Sequence, residues 1–320
     1  MRIEHSIRAI KRDLPYVVMT LGNFDGIHRG HQSLFDRVTR IAHEKNGTAV
    51  VLTFDPHPLK LLKPDIILPQ ITPLSTKIDL IGSLGIDLLV IHPFTEEFSA
   101  IHAEEFLTSY LKPHLDPKVI IVGENFQFGK NKSGNIDFLR ARSRELDLDV
   151  QIVQPITDEQ VIISSSTIRK DIQRGQVQRA GKFLGRPFMI DGTVVRGDNR
   201  GHTLGFPTAN LETEYNLLPA NGVYVALVPL QGKMEKAVVN IGYRPTFQSR
   251  EHAIEVHLLD VSADLYGKRI SLYFIERIRD ERPFLAVDDL VQQIRQDIVK
   301  ARDCCAKRSF LHFPVLSGTL

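Results

Sequence analysis

In the first half of the chain, short apolar runs rich in β-branched residues alternate with segments of helical periodicity. That pattern demands a parallel sheet covered by helices on both faces. Residues 16–21, 48–54, 86–91, 118–122 and 149–153 read as strands. Between them, Leu34, Phe35, Val38, Ile41 and Ala42 recur at spacings of three and four, as do Leu74, Ile78, Ile81 and Leu84. Ala103, Phe106, Leu107, Tyr110 and Leu111 repeat the pattern, and residues 136–145 form one more helix. The expected fold class for this half is doubly wound α/β.

The pattern changes where Gly181, Gly185 and Pro187 punctuate the chain. Beyond them strands dominate, at 191–196, 222–229, 236–241, 254–259 and 270–278, separated by turn residues such as Gln231-Gly232 and Tyr266-Gly267. Such spacing predicts a small antiparallel β-barrel. Val287, Leu290, Val291, Ile294, Ile298 and Ala301 then mark an amphipathic helix, with Asp288 and Asp289 at its favourable N-terminal end. The expected organisation is a first domain over 1–184, a second over 185–306, and a tail, 307–320, with no periodicity. A chain of 320 residues accommodates two such domains without disulfides or structural metal.

Composition narrows the functional classes. Forty Lys and Arg against 38 Asp and Glu give a net charge of +2, which argues against a protein that grips a nucleic-acid backbone. The two cysteines, Cys304 and Cys305, are adjacent and have no nearby histidine, so neither a disulfide nor a zinc site is expected, and a reducing compartment is. Residues 1–11 lack the apolar stretch of a signal peptide, and no apolar run approaches the ~20 residues that cross a bilayer. A cytoplasmic protein with small-molecule partners, no nucleic acid and no membrane is expected; its oligomeric state is not legible.

Three segments carry chemistry. Gly22-Asn23-Phe24-Asp25-Gly26-Ile27-His28-Arg29-Gly30-His31 joins the first of the expected strands to the first expected helix. Ligands of open parallel sheets bind at the strands' C-terminal ends, where a helix N-terminus favours phosphate. The glycines let backbone approach a ligand, and the histidines can donate to charge on a transferring phosphoryl group. The bland alternative is an ordinary strand-to-helix turn; zinc lacks a completing acidic or cysteine ligand nearby. The run Ser164-Ser165-Ser166-Thr167-Ile168-Arg169 offers hydroxyls and a guanidinium at a helix start, either as a phosphate clamp or as a good N-cap.

In the second half, Gly192 and Gly197 have Walker A spacing, but Asp198 stands where a lysine is needed. Thr208 and Asn210 offer two oxygens on one side of a strand, a perch for Mg²⁺ and phosphate. Strand alternation puts Glu255 on the face opposite Ile254, Val256 and Leu258, which alone fits an ordinary surface glutamate.

With 53–58 (Thr-Phe-Asp-Pro-His-Pro) and 123–129 (Gly-Glu-Asn-Phe-Gln-Phe-Gly), the first-half motifs resemble the adenylyltransferase half of bacterial bifunctional riboflavin kinase/FAD synthetases. Pro207-Thr208-Ala209-Asn210, Asn240-Ile241-Gly242, Pro245-Thr246, Glu255 and Asp264-Leu265-Tyr266-Gly267 resemble the flavokinase half. The resemblance spans about residues 15–303. It implies that His28, His31 and Asn125 act on ATP phosphates, with Gly22, Phe24, Asp25, Ser164, Ser166 and Arg169 completing that nucleotide site. The family usually reads Ser-Ser-Thr where this chain has Ser164-Ser165-Ser166, an exchange that keeps the hydroxyl. It also implies that Thr208 and Asn210 bind Mg²⁺-ATP, with Gly197 and Gly205 beside them, and that Glu255 is the general base. Riboflavin, FMN and FAD would be substrates and products, ATP the co-substrate and Mg²⁺ the cofactor. Tyr243 stands where relatives often carry a smaller polar residue. An adenylyl- or cytidylyltransferase for another small phosphate is the enzymatic rival, and an RNA-gripping barrel beside a nucleotide sensor the non-enzymatic one. The kinase motifs oppose the first and the near-neutral charge opposes the second.

Overall fold

A computed structural model describes residues 1–11, 13–65, 67–197, 204–245, 250–261 and 263–307. Asp198, Thr246 and the tail from 308 onward, all noted above, lie outside the described residues, as do Asn199 and Gly201 of the same glycine-rich stretch. The chain forms two compact units, Met1–Ser165 and Ser166–Leu320.

The first unit is built on strands β1 (Arg2–Glu4), β2 (Val17–Leu21), β3 (Thr48–Asp55), β4 (Leu88–Pro93), β5 (Val119–Gly123) and β6 (Asp149–Val153). They form one parallel sheet in the order β1-β4-β3-β2-β5-β6. Helices α1 (Arg29–Glu44), α2 (Leu74–Gly82), α3 (residues 103–114) and α4 (Ile136–Arg142) connect them. β2 is buried throughout, and β3 and β4 nearly so, as the continuous apolar runs require. The α1 residues Leu34, Phe35, Val38 and Ala42 are its buried face. Three-residue β1 has no apolar run to announce it; it exists because it pairs with β4, Ile3 opposite Leu89. Strand order reverses between β2 and β5.

The second unit begins one residue into α5 (Ser165–Gln173) and continues with α6 (Val177–Leu184), then strands β7 (Phe188–Val195), β8 (Ala209–Glu212), β9 (Gly222–Leu230), β10 (Lys233–Pro245), β11 (Arg250–Leu258) and β12 (Arg269–Arg279), and helix α7 (Val287–Ala306). The strands close into a barrel in the order β7-β8-β11-β10-β9-β12, every neighbouring pair antiparallel. Gln231 (φ 49°) and Gly232 (φ 77°) make the tight β9–β10 hairpin, both in the left-handed region such turns need.

Two readings of the sequence change here. Gly181 does not interrupt the chain; it lies inside α6, and Gly185 (φ 72°) is that helix's left-handed cap. The buried stripe of α7 is Gln293, Asp297, Ala301 and Cys305, whereas Val287 is exposed. Polar residues are buried because partners meet them. Arg279 Nε donates to both Asp297 oxygens at 3.2 and 3.0 Å, Gln293 Nε2 donates to Asp297 Oδ1 at 2.9 Å, and Arg282 donates to Gln293. A buried carboxylate so satisfied is tolerated where an isolated one is not.

Helix α6 buries Val177, Ala180, Phe183 and Leu184 and packs on β12 and β7. Each large apolar side chain so buried stabilises by roughly 1.5–3 kcal/mol at most. A fragment beginning at Ser166 should therefore melt at least about 5 °C above one beginning at residue 185. Equal midpoints in calorimetry would mean that α6 adds nothing to the barrel.

Candidate active sites

The first candidate site lies beyond the C-terminal ends of β2 and β5, where the strand order reverses. Val18 pairs with Val119 and Met19 with Ile120, so continuing that register brings Gly22 level with Gly123. The segments leaving these two strands are the Gly22–His31 and Gly123–Gly129 motifs, side by side at the switch point where open α/β sheets bind ligands.

The turn after β2 is wound tightly. Phe24 (φ 47°), Gly26 (φ 89°) and Ile27 (φ 42°) all lie in the left-handed region. A non-glycine residue holds that conformation only where its surroundings fix it. Here the Asp25 carboxylate, 2% exposed, accepts from the backbone N–H of Ile71 and of Thr72, and Ser165 Oγ donates to the Asp25 carbonyl at 2.8 Å. The Lys77 ammonium donates to the Asn23 carbonyl at 2.8 Å, and Gln32 to that of Ile27 at 2.7 Å. The Phe24 ring is buried, edge-on to both His31 and Phe35.

His28 is the N-cap of α1. Its Nδ1 accepts from the His31 backbone N–H at 3.3 Å, and the two imidazoles stack with centroids 3.6 Å apart. A Cβ on Gly30 would press on the His28 ring at 3.1 Å, so glycine there keeps the pair in place. An accepting Nδ1 leaves the proton of a neutral ring on Nε2, which makes His28 a donor beside a helix N-terminus.

Asn125 sits on the turn after β5, exposed, and lines a cavity of about 640 Å³ with Glu124, Gln127, Asn135, Asp137 and Arg140. The Ser-rich motif is divided between units. Ser164 precedes α5, Ser165 ends the first unit, and Ser166 and Arg169 lie three residues apart on the second unit's part of α5, on one helix face.

The second candidate site is a row across three barrel strands. Asn210 on β8 is the register partner of Glu255 on β11, which in turn pairs with Asn240 on β10. Cross-strand partners point the same way, so three polar side chains stand side by side. Asn240 Nδ2 donates to Glu255 Oε2 at 3.4 Å. The row lies opposite buried Ile254 and Val256, as alternation predicts. Gly197 abuts the Asn210 side chain so closely that a Cβ would collide with it. Thr208 precedes β8, exposed, and Gly205 (φ 82°) has open space around it.

Among the described residues no cluster of three His, Cys, Asp or Glu could hold a metal. Hydroxyl and amide oxygens beside one carboxylate suit instead a hard cation that keeps phosphate and water ligands of its own.

His257 was missed by the sequence reading. It shares a face with Glu255, two residues on, and one ring nitrogen, Nδ1, lies 2.8 Å from the Pro207 carbonyl, while Phe206 meets the ring edge-on. It thus anchors the segment carrying Thr208; the alternation that placed Glu255 could have found it. Tyr243 lines a separate cavity of about 650 Å³ with Tyr215, Leu217, Asn221 and Ile254.

Residues 10–167 match the family model described as FAD synthetase, and residues 184–305 that described as riboflavin kinase. The bifunctional riboflavin kinase/FMN adenylyltransferase of Escherichia coli (strain K12) is 37% identical over 89% of this chain and 92% of that protein. The protein of the same name from Bacillus subtilis (strain 168) is 37% identical over 93% and 95%. A crystal structure titled as a macrolide-efflux protein from Streptococcus pneumoniae superposes with a TM-score of 0.86 at 35% identity, covering 94% of this chain and 98% of that one. No described helix is long and apolar enough to cross a membrane.

The His28 geometry has a direct spectroscopic consequence. At pH 8, two-bond ¹H–¹⁵N correlations should show Nδ1 as the unprotonated and Nε2 as the protonated nitrogen. The opposite tautomer would show that the His31 cap bond is not formed in solution.

Proposed function

We propose that this chain, which belongs to the family of bifunctional riboflavin kinase/FMN adenylyltransferases, makes FAD from riboflavin in two ATP-dependent steps. One observation carries the reading: the stacked histidines and the Asn210–Glu255–Asn240 row lie in different compact units, each where its own fold presents polar groups for a ligand. Residues 1–184 are assigned to adenylyl transfer and 185–306 to the kinase.

In the kinase step Glu255 takes the proton of the ribityl 5′-hydroxyl, whose oxygen attacks the γ-phosphorus of ATP, giving FMN and ADP. The Asn240 amide steers the Glu255 carboxylate, which leaves its other oxygen for the proton. Thr208 and Asn210 would hold Mg²⁺ beside the ATP phosphates, where it supplies charge neutralisation. Gly197 and Gly205 keep side chains out of the nucleotide's way. Positioning and electrostatics supply most of the rate.

In the adenylyl step the FMN phosphate attacks the α-phosphorus of ATP and pyrophosphate leaves. A phosphate monoester is already ionised near pH 7, so no general base is needed. His28 and His31 donate to the charge that grows in the transition state, with Asn125 on the ATP phosphates. Ser164, Ser166 and Arg169 hold the departing pyrophosphate. Gly22 admits the nucleotide, while buried Phe24 and Asp25 shape the turn that receives it. The thiols of Cys304 and Cys305 support a cytoplasmic location.

Incubation with riboflavin, ATP and Mg²⁺ should yield FMN and then FAD by chromatography; formation of neither would refute the reading. Glu255→Gln should cut FMN formation by about 10²–10⁴ while FAD synthesis from added FMN stays near wild type. Phosphorylation of riboflavin at the wild-type rate would remove Glu255 from its role.

His28→Ala with His31→Ala should do the converse and let FMN accumulate. Each lost donor is expected to cost ~10²–10³ in adenylyl transfer. Loss of both activities with the circular dichroism unchanged would point to one shared site.

A further inference from the structure

One buried charge in the first unit has no part in the chemistry above. Lys77, on α2, is 3% exposed, and its ammonium donates to the Asn23 carbonyl at 2.8 Å. Burying an ammonium is costly, and a methionine would fill the same space without that cost. The charge therefore needs a reason.

The surroundings supply one. Two carboxylates lend the ammonium favourable charge, Asp25 of the turn and Asp55 at the end of β3. Burial pulls the lysine below its ordinary range, and these two acids pull it back. The Asp25 carboxylate is itself held by the backbone N–H groups of Ile71 and Thr72, just ahead of α2. Residues 71–77 thus grip the turn twice, through Asp25 and through Asn23. Between the two grips sits Phe24 at φ 47°, and after them Gly26 and Ile27 also take positive φ before the chain reaches His28. Thr53 Oγ1 approaches the Asn23 carbonyl too, at 3.4 Å, but without charge and at longer range.

We propose that Lys77 is a positioning residue for adenylyl transfer: its ammonium pins the Asn23 carbonyl and so fixes the turn that delivers His28 and His31 to the transition state. The proposal rests on the adenylyltransferase reading of this unit. A donor displaced by about 1 Å loses on the order of 10² in rate, with substrate binding much less affected. The side chain acts on the geometry of the histidines and does not itself reach substrate.

The test uses the full chain and follows FMN plus ATP to FAD at pH 7.5, with riboflavin phosphorylation measured in the same preparation. Lys77→Met should lower kcat for FAD formation at least about tenfold, with KM for ATP and FMN within about threefold and the kinase rate unchanged. Lys77→Arg, which keeps a charged donor, should recover most of that kcat. A methionine variant with wild-type kcat, or with raised KM alone, would overturn the proposal. Equal losses in the two variants would show that shape matters and charge does not, and would overturn it as well. Loss of the kinase together with adenylyl transfer would assign Lys77 to folding instead. A wild-type chain that makes no FAD from FMN would fail the functional reading and leave nothing for Lys77 to position.

Discussion

Parallel strands cannot be joined by tight turns, and from that constraint the first unit takes its shape. Each strand must be followed by a long connection back to the starting edge, so segments leaving the strands gather at one end of the sheet. Where the order turns from β4-β3-β2 to β5-β6, two such segments diverge and leave a crevice. The glycine–histidine turn and the Asn125 turn occupy its two lips. The chemistry of this unit is thus placed by connectivity: the same ten residues after an interior strand of a meander would face nothing in particular.

In the barrel a different constraint governs. Side chains alternate along a strand and agree across strands, so register decides which distant residues become neighbours. Asn210, Asn240 and Glu255 are far apart in the chain and adjacent in the wall, and a slip of one residue in β11 would turn Glu255 inward among Ile254's partners. The hairpin at Gln231-Gly232 fixes the register between β9 and β10, and the ladder from β10 to β11 carries it on to Glu255.

Much of this was legible beforehand. The strands of the first unit announced themselves because a two-faced burial leaves no room for polar residues, and His28 and His31 because glycines surround them after a strand. Alternation gave the face on which Glu255 stands, and only the resemblance set it apart from an ordinary surface glutamate. Other parts were not. β1 is a strand only by virtue of β4, and β8 is four residues long, two of them, Asn210 and Glu212, polar. The buried face of α7 was only partly legible: Ala301 is buried and Ile298 packs on the barrel, but hydrophobic periodicity cannot foresee that Arg279 and Arg282 come from the end of β12 and the loop after it to satisfy Asp297 and Gln293. The grip of Lys77 on Asn23 joins residues 54 apart and depends on a backbone carbonyl, which carries no sequence signal.

The closed barrel and the open sheet also differ in how they meet other chains. A strand at the rim of a sheet offers unpaired N–H and C=O groups to any extended peptide, the usual opening for β-addition and aggregation. Closure leaves the described barrel strands no such rim. The six-stranded sheet of the first unit has two, and both are poor templates. β1 is three residues long and carries the Arg2–Glu4 ion pair, while β6 begins at Asp149 and bears Gln151, tied to Arg37 of α1. Among the described residues the barrel closes on itself and the six-stranded sheet shortens and charges its edges, so neither offers a passing strand a ready template.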